Sequence, residues 1–440
     1  MAAHAKYQFR SAEDLHAEAG RLGLEIPYEE DSSLLLEKTS LAGHAVPNRL
    51  AVLPMEGADA DAEGTPSEWT LRRYRKYAAG GSGLIWCEAT AVRRDGRSNP
   101  GQLMLTEKTL GGFGKLADEV RAAAKKEWGP GHRPLIILQL THSGRFSKPA
   151  GTPEPRIVQR NPHLDPLHAL PPDHPLVSDG ELEEIRDDLV AAAEFAAAAG
   201  FDGVDVKACH GYLVSETLAA FTRTGSVYGG SFSNRTRLLL DTVRFIRQEA
   251  PGLLVTSRIS AADTVPFPYG FGMDPDEPGR IDLAEAKAVI ALLAKAGVGF
   301  LSVSLGIPYW KPHYGRPFDE PVPGGKVPDE HPLEGVARHL RVAAELQRSS
   351  PRTALVGAGY SWLRALGPNV GAAMVRSGRT AIVGFGRGAL AYPDFVKDLA
   401  EKSCLDSRKV CTTCSLCSHL LRQQKRVGCV VRDPDYRDGR

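Results

Sequence analysis

The sequence predicts an α/β protein: a (β/α)8 TIM barrel with an N-terminal arm before it and a cysteine-rich tail after it. Three observations predict this. Eight short apolar runs recur, each followed by a polar loop and, in most intervals, by an amphipathic helix. Buried parallel strands read as such runs, and helical crossovers bring the chain back to the same side. The first run is not followed by a Gly-x-Gly-x-x-Gly turn, which argues against a dinucleotide-binding half of a doubly wound sheet, the competing architecture. Glycines follow the seventh and eighth runs, where a barrel places a phosphate.

The bulk numbers suit this size of core. The chain has 440 residues, 42% of them hydrophobic, and a formal net charge of +1. That balance gives no drive toward nucleic acid or an anionic membrane. No apolar run reaches the length of a membrane span, and the start, MAAHAKYQFRSAEDL, lacks the apolar centre of a secretory signal. A cytoplasmic enzyme is the expectation.

Residues 1–45 read as the arm. Ser11 with Asp14 marks a helix start, Leu15 and Leu22 are its apolar positions, and Pro27 and Pro47 punctuate the chain beyond it. The barrel is expected over 46–403. Its runs are Leu50–Leu53, Gly83–Cys87, Leu135–Leu140, Val204–Val206, Leu253–Ser257, Phe300–Ser304, Ala354–Val356 and Ala381–Val383. Ser178 and Glu181 predict a capping box for a helix with Ile185, Leu189, Ala192, Phe195 and Ala199 on one face, stopped by Gly200. Asp282 and Glu285 predict a second box before Val289, Ile290 and Leu293, with Gly297 as the stop. Pro251–Gly252 ends the helix carrying Leu239, Val243 and Ile246. Two long segments break the rhythm, 143–175 and 306–332. Both follow strands, so both are expected over the catalytic face.

The chemistry-bearing residues sit at the strand ends. Pro54–Met55–Glu56 follows the first strand and Glu88–Ala89–Thr90 the second; Gln139 and His142 close the third and Arg258 the fifth. The fourth ends in Lys207, Cys209, His210 and Tyr212, four reactive side chains within six residues. Gly357–Ala358–Gly359 and Gly384–Phe385–Gly386–Arg387 follow the last two, and they pair close backbone approach with a guanidinium for phosphate. Gln139 can donate and accept, and Arg258 can hold negative charge, as a reduced isoalloxazine edge requires.

These motifs carry a resemblance. The stretch from about Asn48 to Phe395 resembles the Old Yellow Enzyme / NADH:flavin oxidoreductase superfamily, the FMN-dependent ene-reductases that include the barrel domain of 2,4-dienoyl-CoA reductase. It rests on Asn48–Arg49 before Pro54–Met55, Glu88–Ala89–Thr90, Gln139 to Arg145, Asp202–Gly203–Val204 leading to His210–Gly211–Tyr212–Leu213, Tyr228 to Ser231 with Asn234–Arg235, and Gly384 to Arg387. The resemblance implies FMN at the C-terminal face, with Gln139 and Arg258 on the ring, Pro54, Met55 and Ala89 in packing or backbone contact, and Gly359, Gly386 and Arg387 at the phosphate. It implies NADH or NADPH as reductant and an enone as hydride acceptor at its β-carbon. Tyr212 would protonate the α-carbon, and His210 would be one of the two groups that bind the carbonyl oxygen; Lys207, three residues before it, can converge on the same oxygen if the chain turns after Val206. An oxidative flavin dehydrogenase, acting on an amine or similar substrate and passing electrons through a C-terminal iron-sulfur cluster to a partner protein, is the alternative. A homo-oligomer is expected.

Two positions depart from the family. Lys207 stands where its members carry His; it can hydrogen-bond an oxyanion, or act as an acid once burial lowers its pKa. Glu56 stands where many carry Thr or Cys. It either disfavours an anionic flavin or turns away to hold a loop.

The tail, 404–440, holds Cys411-x2-Cys414-x2-Cys417-x11-Cys429, a ligand pattern for a [4Fe-4S] cluster or for Zn2+. A cluster implies an electron-donor protein as partner or a structural role. Cys87 and Cys209 are expected to be small buried residues.

Overall fold

The computed structural model describes residues 3–439. A hairpin of β1 (Thr39–Leu41) and β2 (His44–Val46) precedes the barrel strands. These are β3 (Leu50–Val52), β4 (Leu84–Ala91), β5 (Leu135–Thr141), β6 (Gly203–Val206), β7 (Leu254–Thr256), β8 (Arg258–Ser260), β9 (Phe300–Ser304), β10 (Ala354–Gly357) and β11 (Ile382–Phe385). All pairings between them are parallel, and all eight expected runs are strands.

The ninth strand arises because the fifth run is split. β7 pairs with β6, and β8 pairs with β9. Between them Ser257 Oγ donates to the Val206 carbonyl at 2.7 Å, and its own carbonyl accepts the Ser302 N–H at 3.1 Å. One strand thus passes from one neighbour to the next, and the ring closes there. Arg258, expected to close the fifth strand, instead opens its second half. A (β/α)8 TIM barrel results.

The inner layer is small. Ala51, Leu53, Leu84, Trp86, Leu135, Ile137, Phe300, Val356 and Ile382 form one cluster, joined by Leu41 and Val46 from the hairpin. Residues at the strand starts dominate it, so the hairpin plugs the N-terminal mouth. The larger core lies between strands and helices.

Helix boundaries follow local chemistry. Ser11 and Asp14 form the full reciprocal box ahead of Ala12–Arg21. Ser178 caps Asp179–Ala198 by accepting the Glu181 N–H, but the box is not completed, because the Glu181 carboxylate is drawn into an ion pair with Arg156. The second box does not form either. Ala284–Lys295 starts at Leu283 without a side-chain cap; Asp282 accepts the Ala284 N–H, while Glu285 binds Arg235. In both cases a guanidinium outcompetes a backbone N–H for the carboxylate. Gly200 (φ +84°) and Gly297 (φ +88°) stop their helices in the left-handed conformation.

Residues 404–439 lie against the barrel. The Val427 N–H donates to the Gly57 carbonyl at 2.7 Å, Gln424 Nε2 donates to the Gly151 carbonyl at 2.6 Å, and Arg72 grips Asp433 through two hydrogen bonds of 2.9 Å. Among the described residues no helix is long and apolar enough to cross a membrane.

Candidate active site

A cavity opens at the C-terminal ends of the strands, where a barrel places its chemistry. It is lined by Pro54, Met55, Ala89, Gln139, Lys207, His210, Tyr212, Arg258, Gly359, Gly386 and Arg387. These are all the barrel residues singled out from the sequence as catalytic or cofactor-binding. Glu56, Tyr309, Arg316 and, from the tail, Cys417 and Arg422 line it too.

The fourth strand end is built by its backbone. After β6 the chain turns through His210 (φ +68°) and Gly211 (φ +72°) before Tyr212 caps a short helix, Leu213–Leu218. A left-handed histidine is strained, by about 1 kcal/mol or more, and is held here by two contacts. Its N–H donates to Ser260 Oγ at 3.1 Å, and its Nε2 lies 2.9 Å from Ser304 Oγ. Burial, reinforced by Arg258 and Lys207, holds its pKa well below the ordinary value, so the ring is neutral.

Lys207 is 3% exposed, so it does not reach solvent. Its Nζ lies 3.5 Å from the centre of the Tyr212 ring and 3.7 Å from Glu56 Oε1. The ammonium therefore sits against Tyr212 rather than across the cavity from it. Burial lowers the pKa of Lys207, opposed by the Glu56 carboxylate. The Tyr212 hydroxyl donates to Glu56 Oε1 at 3.0 Å. Burial, and then the Glu56 charge, raise its pKa well above the ordinary value. Glu56 thus points into the site, and Ser98 Oγ donates to its other oxygen at 2.6 Å.

Gln139 and Arg258 are positioned by one buried carboxylate. Asp205 Oδ2 accepts from Gln139 Nε2 at 2.5 Å and from Trp86 Nε1 at 2.8 Å, and Oδ1 accepts the Arg258 N–H at 2.7 Å. Burial raises Asp205 to about 6. Gln139 is left with Oε1 as the acceptor available to a ligand.

The cavity also carries Arg258, Arg316 and Arg387. Arg387 Nη2 donates to the Pro317 carbonyl at 2.7 Å, while its Nη1 is buried without a partner among the described residues. Arg316 donates to Ser418 Oγ, and its Nε is likewise unpartnered, as is Nε of Arg258. Burial and the neighbouring Arg387 lower Arg316 to about 10. A Cβ on Gly386 would meet Met55 Sδ at 3.4 Å, and Gly359 holds φ +98°. Arg316 carries no signal in the sequence: it lies mid-loop, with no strand end to mark it.

The two long loops meet over the site. Phe146 from the first stacks on Tyr309 from the second, with centroids 4.3 Å apart, and both pack with Tyr212. Glu88 proves structural. A register shift between Cys87 and Ala89 turns it out of the barrel, where it is buried and accepts from Arg73 at 2.5 Å and from Tyr74. His142 is also buried away from the cavity, accepting the Gly144 N–H at 3.0 Å.

The four cysteines of the tail motif neighbour one another, since Cys417 and Cys429 act on Cys411, and Cys414 and Cys417 on Cys429. Among the described residues no group of three or more His, Cys, Asp or Glu side chains is arranged to hold a metal ion. Cys411 is buried, with its sulfur accepting the Thr413 N–H at 3.4 Å, while Cys417 faces the cavity from the helix Leu416–Arg422. Burial pushes Cys411 up to about 12 and Cys429 up to about 11. Cys87 and Cys209 are buried, as expected.

Comparison with known proteins agrees with this architecture. The model of the NADH:flavin oxidoreductase / NADH oxidase family matches residues 41–284. The chain is 27% identical over 412 residues to the NADH oxidase of Thermoanaerobacter brockii, covering 92% of this chain and 56% of that protein. It therefore spans little more than half the length of that relative. Among solved structures, a 2-naphthoyl-CoA reductase complex superposes with a TM-score of 0.72 at 21% identity, covering 93% of this chain and 58% of the other. The Old Yellow Enzyme homologue from Zymomonas mobilis superposes with a TM-score of 0.61 at 21% identity, covering 85% and 94%.

Proposed function

Since the chain belongs to the NADH:flavin oxidoreductase / NADH oxidase family, we propose that it is an FMN-dependent ene-reductase, reduced by NADH or NADPH and acting on α,β-unsaturated carbonyl compounds. One observation carries this reading. A single cavity brings a neutral histidine and a protonated phenol together with three arginines, Arg258, Arg316 and Arg387, that have no carboxylate partner among the described residues.

The residues present fit FMN. Unpartnered guanidinium N–H groups beside glycine backbone suit an anionic phosphate, so Arg387 and Arg316 would hold it with Gly359 and Gly386. Gln139 and Arg258 would hold the ring. When bound, the flavin supplies the hydride. Hydride addition to a conjugated alkene builds negative charge on the carbonyl oxygen, which donors aimed at it stabilise. Neutral His210 and the Lys207 ammonium supply such donors. Tyr212, kept in its acid form, delivers the proton to the α-carbon.

The test is spectroscopic and anaerobic. Purified protein should carry flavin that NADH or NADPH bleaches and 2-cyclohexenone reoxidises. Flavin that a range of enones leaves reduced would sink the ene-reductase reading. Bleaching by an amine without nicotinamide would favour the oxidative dehydrogenase. The same spectrum shows whether the tail holds iron and sulfide.

A further inference from the structure

We propose that Glu56 is a proton-relay residue for Tyr212, drawing its proton through Ser98 from a second cavity. The proposal rests on the reading of Tyr212 as proton donor. Each turnover would remove one proton from a phenol that is 3% exposed and covered by Phe146 and Tyr309. Substrate in the cavity would cover the remaining approach, and resupply would then need an internal route.

The structure contains one. From Tyr212 the hydrogen bonds run to Glu56 Oε1 at 3.0 Å and across the carboxylate to Oε2, which accepts from Ser98 Oγ at 2.6 Å. Asn99 Nδ2 donates to Ser98 Oγ at 3.0 Å and fixes that hydroxyl toward Glu56. Ser98 and Asn99 line a different cavity, with Lys148, His168, Arg422 and Gln424. The two cavities adjoin, with Tyr309, Leu421 and Arg422 lining both; Glu56 and Tyr212 line the first and Ser98 the second, so the carboxylate–hydroxyl contact is a hydrogen-bonded link between them.

An anionic Glu56 hinders Tyr212 from losing its proton, because it would leave a phenolate beside a carboxylate. As a carboxylic acid it hands a proton to the phenol oxygen while the phenol gives one to the α-carbon. The balance is one new C–H bond, the Tyr212 O–H broken and remade, and the Glu56 O–H broken. A solvent proton then restores Glu56 through Ser98. The carboxylate left between steps faces the Lys207 ammonium, 3.7 Å away. The titratable groups facing this site are Lys207, Tyr212 and Tyr309, with Arg316 and Arg422 acting on Tyr309.

The test uses flavin-loaded enzyme in single turnover with 2-cyclohexenone, from about pH 6 to about pH 9. Reduction by NAD(P)H, which needs no proton from Tyr212, reports that each variant is folded and loaded. Glu56→Gln should slow reoxidation by the enone roughly 10- to 100-fold, alter the pH profile, and recover partly with added acetic acid. Glu56→Asp should retain most of the rate, and Ser98→Ala should slow it several-fold. Reoxidation by Glu56→Gln at the parent rate, with an unchanged profile, overturns the relay. So does a slowed Glu56→Gln that neither shifts the profile nor responds to acetic acid, since that is a packing defect. If Tyr212→Phe reoxidises like the parent, the proton-donor reading fails, and the relay falls with it.

Discussion

Two buried arginines at the same face of the barrel have opposite surroundings. Arg145 is fully paired: its Nε and Nη2 donate to Glu216, the latter at 2.5 Å, Nη1 donates to Asp165, and Nη2 also reaches the Gln159 carbonyl. Arg387, also buried, has one carbonyl and an Nη1 unpartnered among the described residues. Burying a charge is costly unless it is paired and hydrogen-bonded. Arg145 meets that cost with residues of this chain and holds the first long loop. Arg387, with Arg316 beside it, has no carboxylate partner among the described residues, and in the proposed function the FMN phosphate would meet that cost.

The contrast is broken or sharpened by substitution. Arg145→Met strands Glu216 and Asp165, and unfolding by denaturant should show a loss of about 3–5 kcal/mol. Arg387→Met should do the reverse. The apoprotein should keep its stability within about 1 kcal/mol, since no carboxylate is stranded, while FMN dissociation measured by fluorescence weakens at least ~10-fold. If both variants unfold alike, the distinction is wrong.

Asp263 is the converse case, a buried carboxylate without a cation among the described residues. Its Oδ2 accepts the Phe271 N–H at 3.1 Å, Oδ1 has no hydrogen-bond partner among the described residues, and burial, opposed by the Phe271 N–H and Ser260, raises it from 3.8 to about 7. The folded pKa lies above the unfolded one. Its contribution to stability is therefore complete below 3.8 and is lost as pH rises through about 7. Asp263→Asn should flatten that slope and exceed the parent above about pH 7 by as much as ~4 kcal/mol. The smallest effect concerns a helix end: Ser178→Ala should cost about 1 kcal/mol in thermal or denaturant melts, without touching flavin binding.

Much of the site was legible because strand ends carry its parts, and the run–loop–helix rhythm marks strand ends. Pro54, Ala89, Gln139, Lys207, His210, Tyr212 and Arg387 could be found that way. Arg316 could not, because nothing in a proline- and glycine-rich loop says which residue turns inward. The two incomplete capping boxes failed for a related reason: Glu181 and Glu285 sit at the right spacing, but Arg156 and Arg235, distant in sequence, hold their carboxylates.

By itself the sequence determined the barrel, its order of strands, and the residue types at each strand end, because apolar periodicity and turn chemistry are local. Only the tertiary structure decided where the fifth strand splits, that the tail walls the cavity, and which buried charges are paired. It also decided that Glu56 joins Tyr212 to Ser98. Burial and charge pairing depend on residues far apart in the chain, so they exist only once the chain has closed on itself.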